Sequence, residues 1–221
     1  MHPALQDIRL VAFDLDGTLI DSVPDLAAAV DTMLSGQHLV PVGEAKVRDW
    51  VGNGSHKLVE RALTSVLGEV PDPARLTASH DEFLRAYHAA PCERTRAYPG
   101  VREALESLEA RGVIVTLVTN KPAAFIDPIL EALGLRRYFR MTLGGDSLAE
   151  KKPHPAPLLH LAAQFGIAPA QCLMVGDSRH DVEAGRRAGF RTLAVPYGYN
   201  HGEPVASSRP DGVVESLGEL V

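Results

Sequence analysis

The chain has 221 residues, of which 45% are apolar and 23% charged, close to the averages for a globular protein. That length supports a sizeable core in one large domain or two small ones, and disorder, collagen and coiled coil are poor fits. Lys and Arg number 22 against 28 Asp and Glu, a net charge of −6. This sign lacks the basic footprint of a nucleic-acid binder, and at first sight it suits an anionic substrate poorly.

Ile8 to Phe13 is an apolar run that stops at an acid and glycine cluster, and it predicts a mostly buried strand. The stretch from about Pro24 to Ala90 then offers no convincing strand. It carries helical patterns at Asp25 to Leu34, Lys57 to Leu67 and Pro73 to His88. Connections inside α/β units are usually short, so this stretch reads as a helical insertion over the strand ends rather than as part of the main core. A helix is predicted from Val101 to Arg111, with Val101, Leu105 and Leu108 on one face. Strands follow at Val113–Val118, Cys172–Val175 and Thr192–Val195. Helices over Ala123–Leu133, Pro155–Phe165 and Asp181–Ala188 each stop at a glycine.

Continuous apolar strands alternating with amphipathic helices predict an α/β fold, a doubly wound parallel sheet with helices on both faces. The expected division is a catalytic core of residues 1–22 and 91–221 and an all-helical cap of residues 23–90. Cys92 and Cys172 form no CxxC pair, so neither a disulfide framework nor a zinc site is expected, and a reducing cytoplasmic setting is the simplest. The segment from Met1 to Asp7 has no basic region or apolar core of a signal peptide. No apolar run approaches the roughly 20 residues that span a bilayer, so no membrane partner is expected.

In open parallel sheets, ligands bind outside the carboxyl ends of the strands. The acids and glycines collect there: Asp14-Leu15-Asp16-Gly17-Thr18 after the first strand, Thr119 and Asn120 after the next, Lys151-Lys152-Pro153 before a helix, and Gly176-Asp177-Ser178 after a later strand. Asp14, Asp16 and Asp177 offer the hard oxygen ligands that suit Mg²⁺. A carboxylate can attack phosphorus, and a nearby cation would cancel its repulsion with the phosphoryl oxygens. Thr119 and Asn120 can donate hydrogen bonds to those oxygens, and a lysine adds a point charge. Gly17 would let the loop turn sharply. Asp181 either serves this site or caps the helix that starts beside it.

These stretches, in this order, resemble the four motifs of the haloacid dehalogenase-like phosphatase superfamily over nearly the whole chain. The resemblance implies Asp14 as nucleophile and Asp16 as the acid that protonates the leaving oxygen and then activates water. It implies Mg²⁺ held by the Asp14 side chain, the Asp16 backbone carbonyl and the Asp177 side chain, with Asp181 and Ser178 in the outer shell. Its lysine directly precedes the proline, which selects Lys152 over Lys151.

Within the superfamily the chain is most similar to the phosphoglycolate phosphatases, on stretches such as Asp21 to Leu26, Trp50 to Gly54 and Lys152 to Leu158. That implies a phosphomonoesterase acting on a small phosphorylated metabolite, 2-phosphoglycolate, with Asn53 and Gly54 in a cap loop facing the substrate. Sugar-phosphate phosphatases and a β-phosphoglucomutase-like mutase share these features. A dehalogenase of this fold needs no Mg²⁺ and normally lacks the second acid, so Asp16 argues against it. A non-catalytic phospho-accepting regulatory domain would lack that acid and the inserted cap. Arg61 reads as a surface charge and Trp50 as a packing residue. The nine histidines show no metal-binding spacing and are expected at the surface, with His154 and His180 near the site by position alone.

Overall fold

A computed structural model describes residues 2–220; Met1 and Val221, the outer ends of the expected core segments, lie outside the described residues. The elements run β1 (Leu10–Phe13), β2 (Ile20–Asp21), α1 (Val23–Gly36), α2 (Gly43–Trp50), α3 (Ser55–Leu67), α4 (Pro73–Ala89), β3 (Arg96–Ala97), α5 (Val101–Ala110) and β4 (Ile114–Val118). They continue with α6 (Ile126–Ala132), β5 (Met141–Leu143), α7 (Ala156–Phe165), β6 (Cys172–Gly176), α8 (Arg179–Ala188), β7 (Arg191–Ala194) and β8 (Gly212–Val213).

Six strands form one parallel sheet in the order β5-β4-β1-β6-β7-β8. All residues of β1 and β6 are buried, as continuous apolar runs require when helices cover both faces. Successive side chains point to opposite faces. Val11, Phe13, Leu173 and Val175 join the cluster that contains α5 and α6, through residues such as Leu105 and Ile129. Leu10, Ala12, Cys172 and Met174 join the cluster of α7 and α8, through Leu158, Leu161 and Ala184. Cys172 is thus a small buried hydrophobe, as its place in an apolar run suggests.

The expected strands and helices are present, with ends displaced by one or two residues at most of them. The helix expected over Ala123–Leu133 is divided: a 3₁₀ turn at Ala123–Phe125 precedes α6. An Asp146 carboxylate accepts from the Ala123 N–H at the start of that turn. β2, β3, β5 and β8 were not predicted. Each has only two or three residues, too few for a period to show. Helix α2, Gly43–Trp50, was not predicted either, because Val47 is its only buried residue.

Helices α1–α4 lie between β2 and β3, which pair antiparallel through Ile20–Ala97 and Asp21–Arg96. The four helices pack chiefly against one another, α1 on α4 and α2, and α3 on α4. Their apolar faces nevertheless continue into the cluster that holds β1 and α5, so they rest directly on the core. Asp25 fastens the return of the chain. It is 4% exposed and accepts from the N–H groups of Arg94 and Thr95 and from the Thr95 hydroxyl, at 2.6 to 3.0 Å. Asp25→Ala would orphan the buried Thr95 donors. It is expected to lower unfolding free energy by about 1–3 kcal/mol, read from the urea midpoint.

Candidate active site

The strand order reverses around β1, so the loops after β1, β4 and β6 open on one crevice. Asp14 follows the last residue of β1, and its N–H extends the ladder to the Val175 carbonyl, 2.9 Å away. Oδ1 accepts from the Leu15 N–H at 2.7 Å and lies 2.8 Å from Lys152 Nζ. Oδ2 has no hydrogen-bond donor among the described residues. Burial pushes the Asp14 carboxyl up to about 7; Lys152 opposes the rise, and the charges of Asp181 and Asp16 add to it.

Asp177 stands at the corresponding place after β6. The Thr18 hydroxyl donates to its Oδ1 at 2.7 Å and the Tyr199 N–H to its Oδ2 at 2.5 Å. Burial, and then the charges of Asp181 and Asp14, hold this carboxyl well above its ordinary range. Gly17 turns the loop between Asp14 and Asp177 with φ +88°. A Cβ there would overlap the Asp177 carboxylate and the Tyr199 ring, so only glycine fits.

Asp181 does both things its position allows. Its Oδ2 accepts from the Ser178 N–H and hydroxyl at 3.0 and 2.7 Å, as the side-chain half of a capping box for α8. Its Oδ1 sits 2.7 Å from Lys152 Nζ. Lys152 therefore bridges Asp14 and Asp181. Burial disfavours its charge, but the two carboxylates outweigh that and raise its pKa.

Asp14, Asp177 and Asp181 each bring a carboxylate oxygen within 4.8 Å of the others, all buried. Three acids against one lysine leave excess negative charge in a buried site. The donors are hard oxygens, and Asp14 Oδ2 is unused, so the set fits a hard divalent cation. Both Asp181 oxygens are already engaged, which leaves Asp14 and Asp177 as the side chains able to touch such an ion.

The Asp16 carboxylate is turned elsewhere. It accepts from the Ser22 hydroxyl at 2.5 Å and lies 3.0 and 3.2 Å from Lys121 Nζ. As a metal ligand it has only its backbone carbonyl to offer. Lys121 was missed in the sequence, where it passes for part of a strand-to-helix linker. The available signal was a lysine two residues beyond Thr119 at the end of an apolar strand. The Thr119 hydroxyl oxygen accepts from the Lys121 N–H at 3.2 Å, which leaves its proton for an anion in the cavity.

The Asn120 side chain is committed elsewhere: its amide nitrogen donates to the carbonyls of Gly52 and Lys152 at 3.1 and 3.0 Å, so a hydrogen bond from Asn120 to a phosphoryl oxygen could come only from its backbone N–H. It ties the loop before α3 to the segment that carries Lys152. Asn53 also departs from a substrate-facing role. Its amide meets His180 Nε2 at 2.6 Å, while Gly54 does line the cavity. His180 is accordingly buried rather than at the surface, and burial drives its pKa down to about 4. Lys151 is exposed and donates to the Asn53 carbonyl at 3.3 Å. Arg61 donates to the Trp50 carbonyl at 2.6 Å and so holds the loop.

The cavity beside Asp14 is lined from the core by Asp16, Thr119, Asn120, Lys121 and Phe125. Leu26, Val51, Gly52, Gly54, Ser55, Leu58, Phe83 and Tyr87 line it from the helices above. Thus β1, β4, β6 and the helical insertion all contribute to one site.

Comparison with known proteins agrees with this geometry. The family model of the haloacid dehalogenase-like hydrolases matches residues 8–189. A phosphoglycolate phosphatase of Nitrosococcus oceani is 46% identical over 216 residues, 98% of this chain and 96% of that protein. A phosphoglycolate phosphatase of Escherichia coli is 44% identical over 232 residues, 98% and 92% of the two chains. Among solved structures, a predicted phosphoglycolate phosphatase from Haemophilus somnus superposes with a TM-score of 0.92 at 39% identity, covering 97% of this chain and 96% of that one. The chain belongs to the haloacid dehalogenase-like hydrolases.

Proposed function

We propose that this hydrolase is a Mg²⁺-dependent phosphatase that converts 2-phosphoglycolate to glycolate and phosphate through an aspartyl phosphate on Asp14. The observation that carries the reading is the state of Asp14. One oxygen is pinned by Lys152 and the Leu15 N–H, and the other is free beside a cluster of buried acids. The substrate rests on the relatives of that name, which align over nearly the full length of this chain.

In this reading Asp14 Oδ2 attacks phosphorus, and the bond from phosphorus to the glycolate oxygen breaks as that oxygen takes a proton from Asp16. Water then attacks the phosphoryl group, Asp16 takes its proton, and Asp14 is restored. Lys152 and the Thr119 hydroxyl neutralise and orient the phosphoryl oxygens. Mg²⁺ on Asp14, Asp177 and the Asp16 carbonyl would supply the positive charge that lets one anion approach another. Asp181 and Ser178 position Lys152 and the start of α8. Residues 23–90 act as a cap that excludes water from the step, and Gly54 belongs to the cap loop facing the substrate. Free Cys92 and Cys172 suit a reducing cytoplasm. Among the described residues no helix is long and apolar enough to cross a membrane.

Phosphate release across a panel of small phosphomonoesters, with Mg²⁺ and with a chelator, tests this. The expected result is preference for 2-phosphoglycolate and loss of at least about 10²-fold in rate on chelation, consistent with the several kcal/mol a metal supplies. Preference for a sugar phosphate would reject the substrate, and an isomerised sugar phosphate in place of free phosphate would indicate a mutase.

A further inference from the structure

The cavity beside Asp14 holds polar groups for which the phosphoryl chemistry has no use. The Lys121 side chain is 3% exposed, and its ammonium lies between the Asp16 carboxylate and the Tyr87 ring, 4.7 Å from the ring centroid. Lysine has three donors; among the described residues Nζ donates to the two Asp16 oxygens and otherwise faces the Tyr87 side chain. The Tyr87 hydroxyl is buried in the same wall beside that ammonium and makes no close hydrogen bond among the described residues. A native fold rarely leaves a buried phenol unsatisfied without a reason. Helix α3 opens on the cavity through Gly54 and Ser55, and no side chain caps its first N–H groups. The rest of that wall is apolar, with Leu26, Leu58, Phe83 and Phe125.

A cation, a phenol donor and an open helix N-terminus on an otherwise greasy wall make a pocket for a small anion. The acids that line the cavity, Asp14 and Asp16, both belong to the phosphoryl side. We propose that Lys121 and Tyr87 form a second anion subsite that binds the carboxylate of the substrate, selecting phosphate esters of short hydroxy acids over those of neutral alcohols. This rests on the phosphatase reading above. The placement suits 2-phosphoglycolate, whose carboxylate is one methylene from the leaving oxygen. Lys121 touches Asp16, so a carboxylate seated on Lys121 brings the leaving oxygen beside the acid that must protonate it.

The test is the ratio of kcat/KM for 2-phosphoglycolate to that for ethyl phosphate, its counterpart of equal length in which a methyl replaces the carboxylate. It is measured in the wild type, Lys121→Met, Lys121→Arg and Tyr87→Phe. The ratio is expected to fall about 10²-fold in Lys121→Met and about tenfold in Tyr87→Phe, mainly through KM for phosphoglycolate, and to be partly restored in Lys121→Arg. Tyr87→Phe removes one oxygen that makes no close hydrogen bond among the described residues, so it carries the test even where Lys121→Met fails to fold. An unchanged ratio, with both substrates declining together, would mean that Lys121 serves Asp16 alone and would overturn the subsite while leaving the phosphatase reading intact. A wild type that does not favour phosphoglycolate would overturn the proposed substrate and the subsite together.

Discussion

Asp14→Asn is expected to abolish phosphate release, by roughly 10⁴-fold or more, the scale of loss when a covalent nucleophile is removed. The amide keeps an oxygen to accept from the Leu15 N–H, but it lacks the negative charge that makes the carboxylate a nucleophile. The fold should survive. Burial and the acids Asp181 and Asp16 already disfavour a charge on Asp14. The folded-state carboxyl is raised to about 7 from an ordinary 3.8, so its ionisation withdraws stability as pH rises through that interval. A neutral Asn is free of that loss. In metal-free buffer at pH 8 its Tm should therefore equal or exceed that of the wild type, as followed by circular dichroism.

Lys152→Met should damage both activity and stability. Its ammonium is the shared partner of Asp14 and Asp181, at 2.8 and 2.7 Å in a buried site. Removing one member of a buried ionic cluster leaves uncompensated charge, at a cost of about 3–5 kcal/mol. Urea unfolding of metal-free protein measures that loss. Adding Asp14→Asn to Lys152→Met should recover part of it, because the double variant has one fewer stranded carboxylate. Phosphate release should fall in the single variant even with saturating Mg²⁺, since a metal on Asp14 and Asp177 cannot replace a cation held by Asp181.

The sheet was legible because β1, β4 and β6 are apolar from end to end and stop at acids and glycines. Only the ends of buried parallel strands look like that. The helices were legible from stripes such as Val101, Leu105 and Leu108, which meet β1 and β6 in one cluster. What stayed hidden was short or polar. The two-residue strands β2 and β3 are defined by pairing across the whole insertion rather than by any local pattern.

The placement of candidate residues was legible where acids follow a buried strand, as at Asp14 and Asp177, and where a lysine precedes a helix, as at Lys152. It was not legible where a side chain could turn either way. The Asn120 side chain could have faced a phosphate but spends its amide protons on the Gly52 and Lys152 carbonyls. His180 looked peripheral but meets Asn53 of the loop before α3, 127 residues away in sequence. Thr18 and Asp177 are separated by 159 residues, and no spacing rule relates them. The net charge of −6 also changes meaning. Several acids converge on one crevice, where they can recruit a cation, and the local field they build with Lys152 and Lys121 outweighs the global sign.

The stereochemical course at phosphorus tests the central claim most directly. With a phosphorothioate substrate made chiral by one heavy oxygen isotope and hydrolysed in water of a second heavy isotope, the released thiophosphate carries four different substituents, and each in-line displacement inverts the centre. Transfer to Asp14 followed by transfer to water predicts net retention of configuration. Net inversion would mean that water attacks the substrate directly, and would contradict an aspartyl phosphate on Asp14.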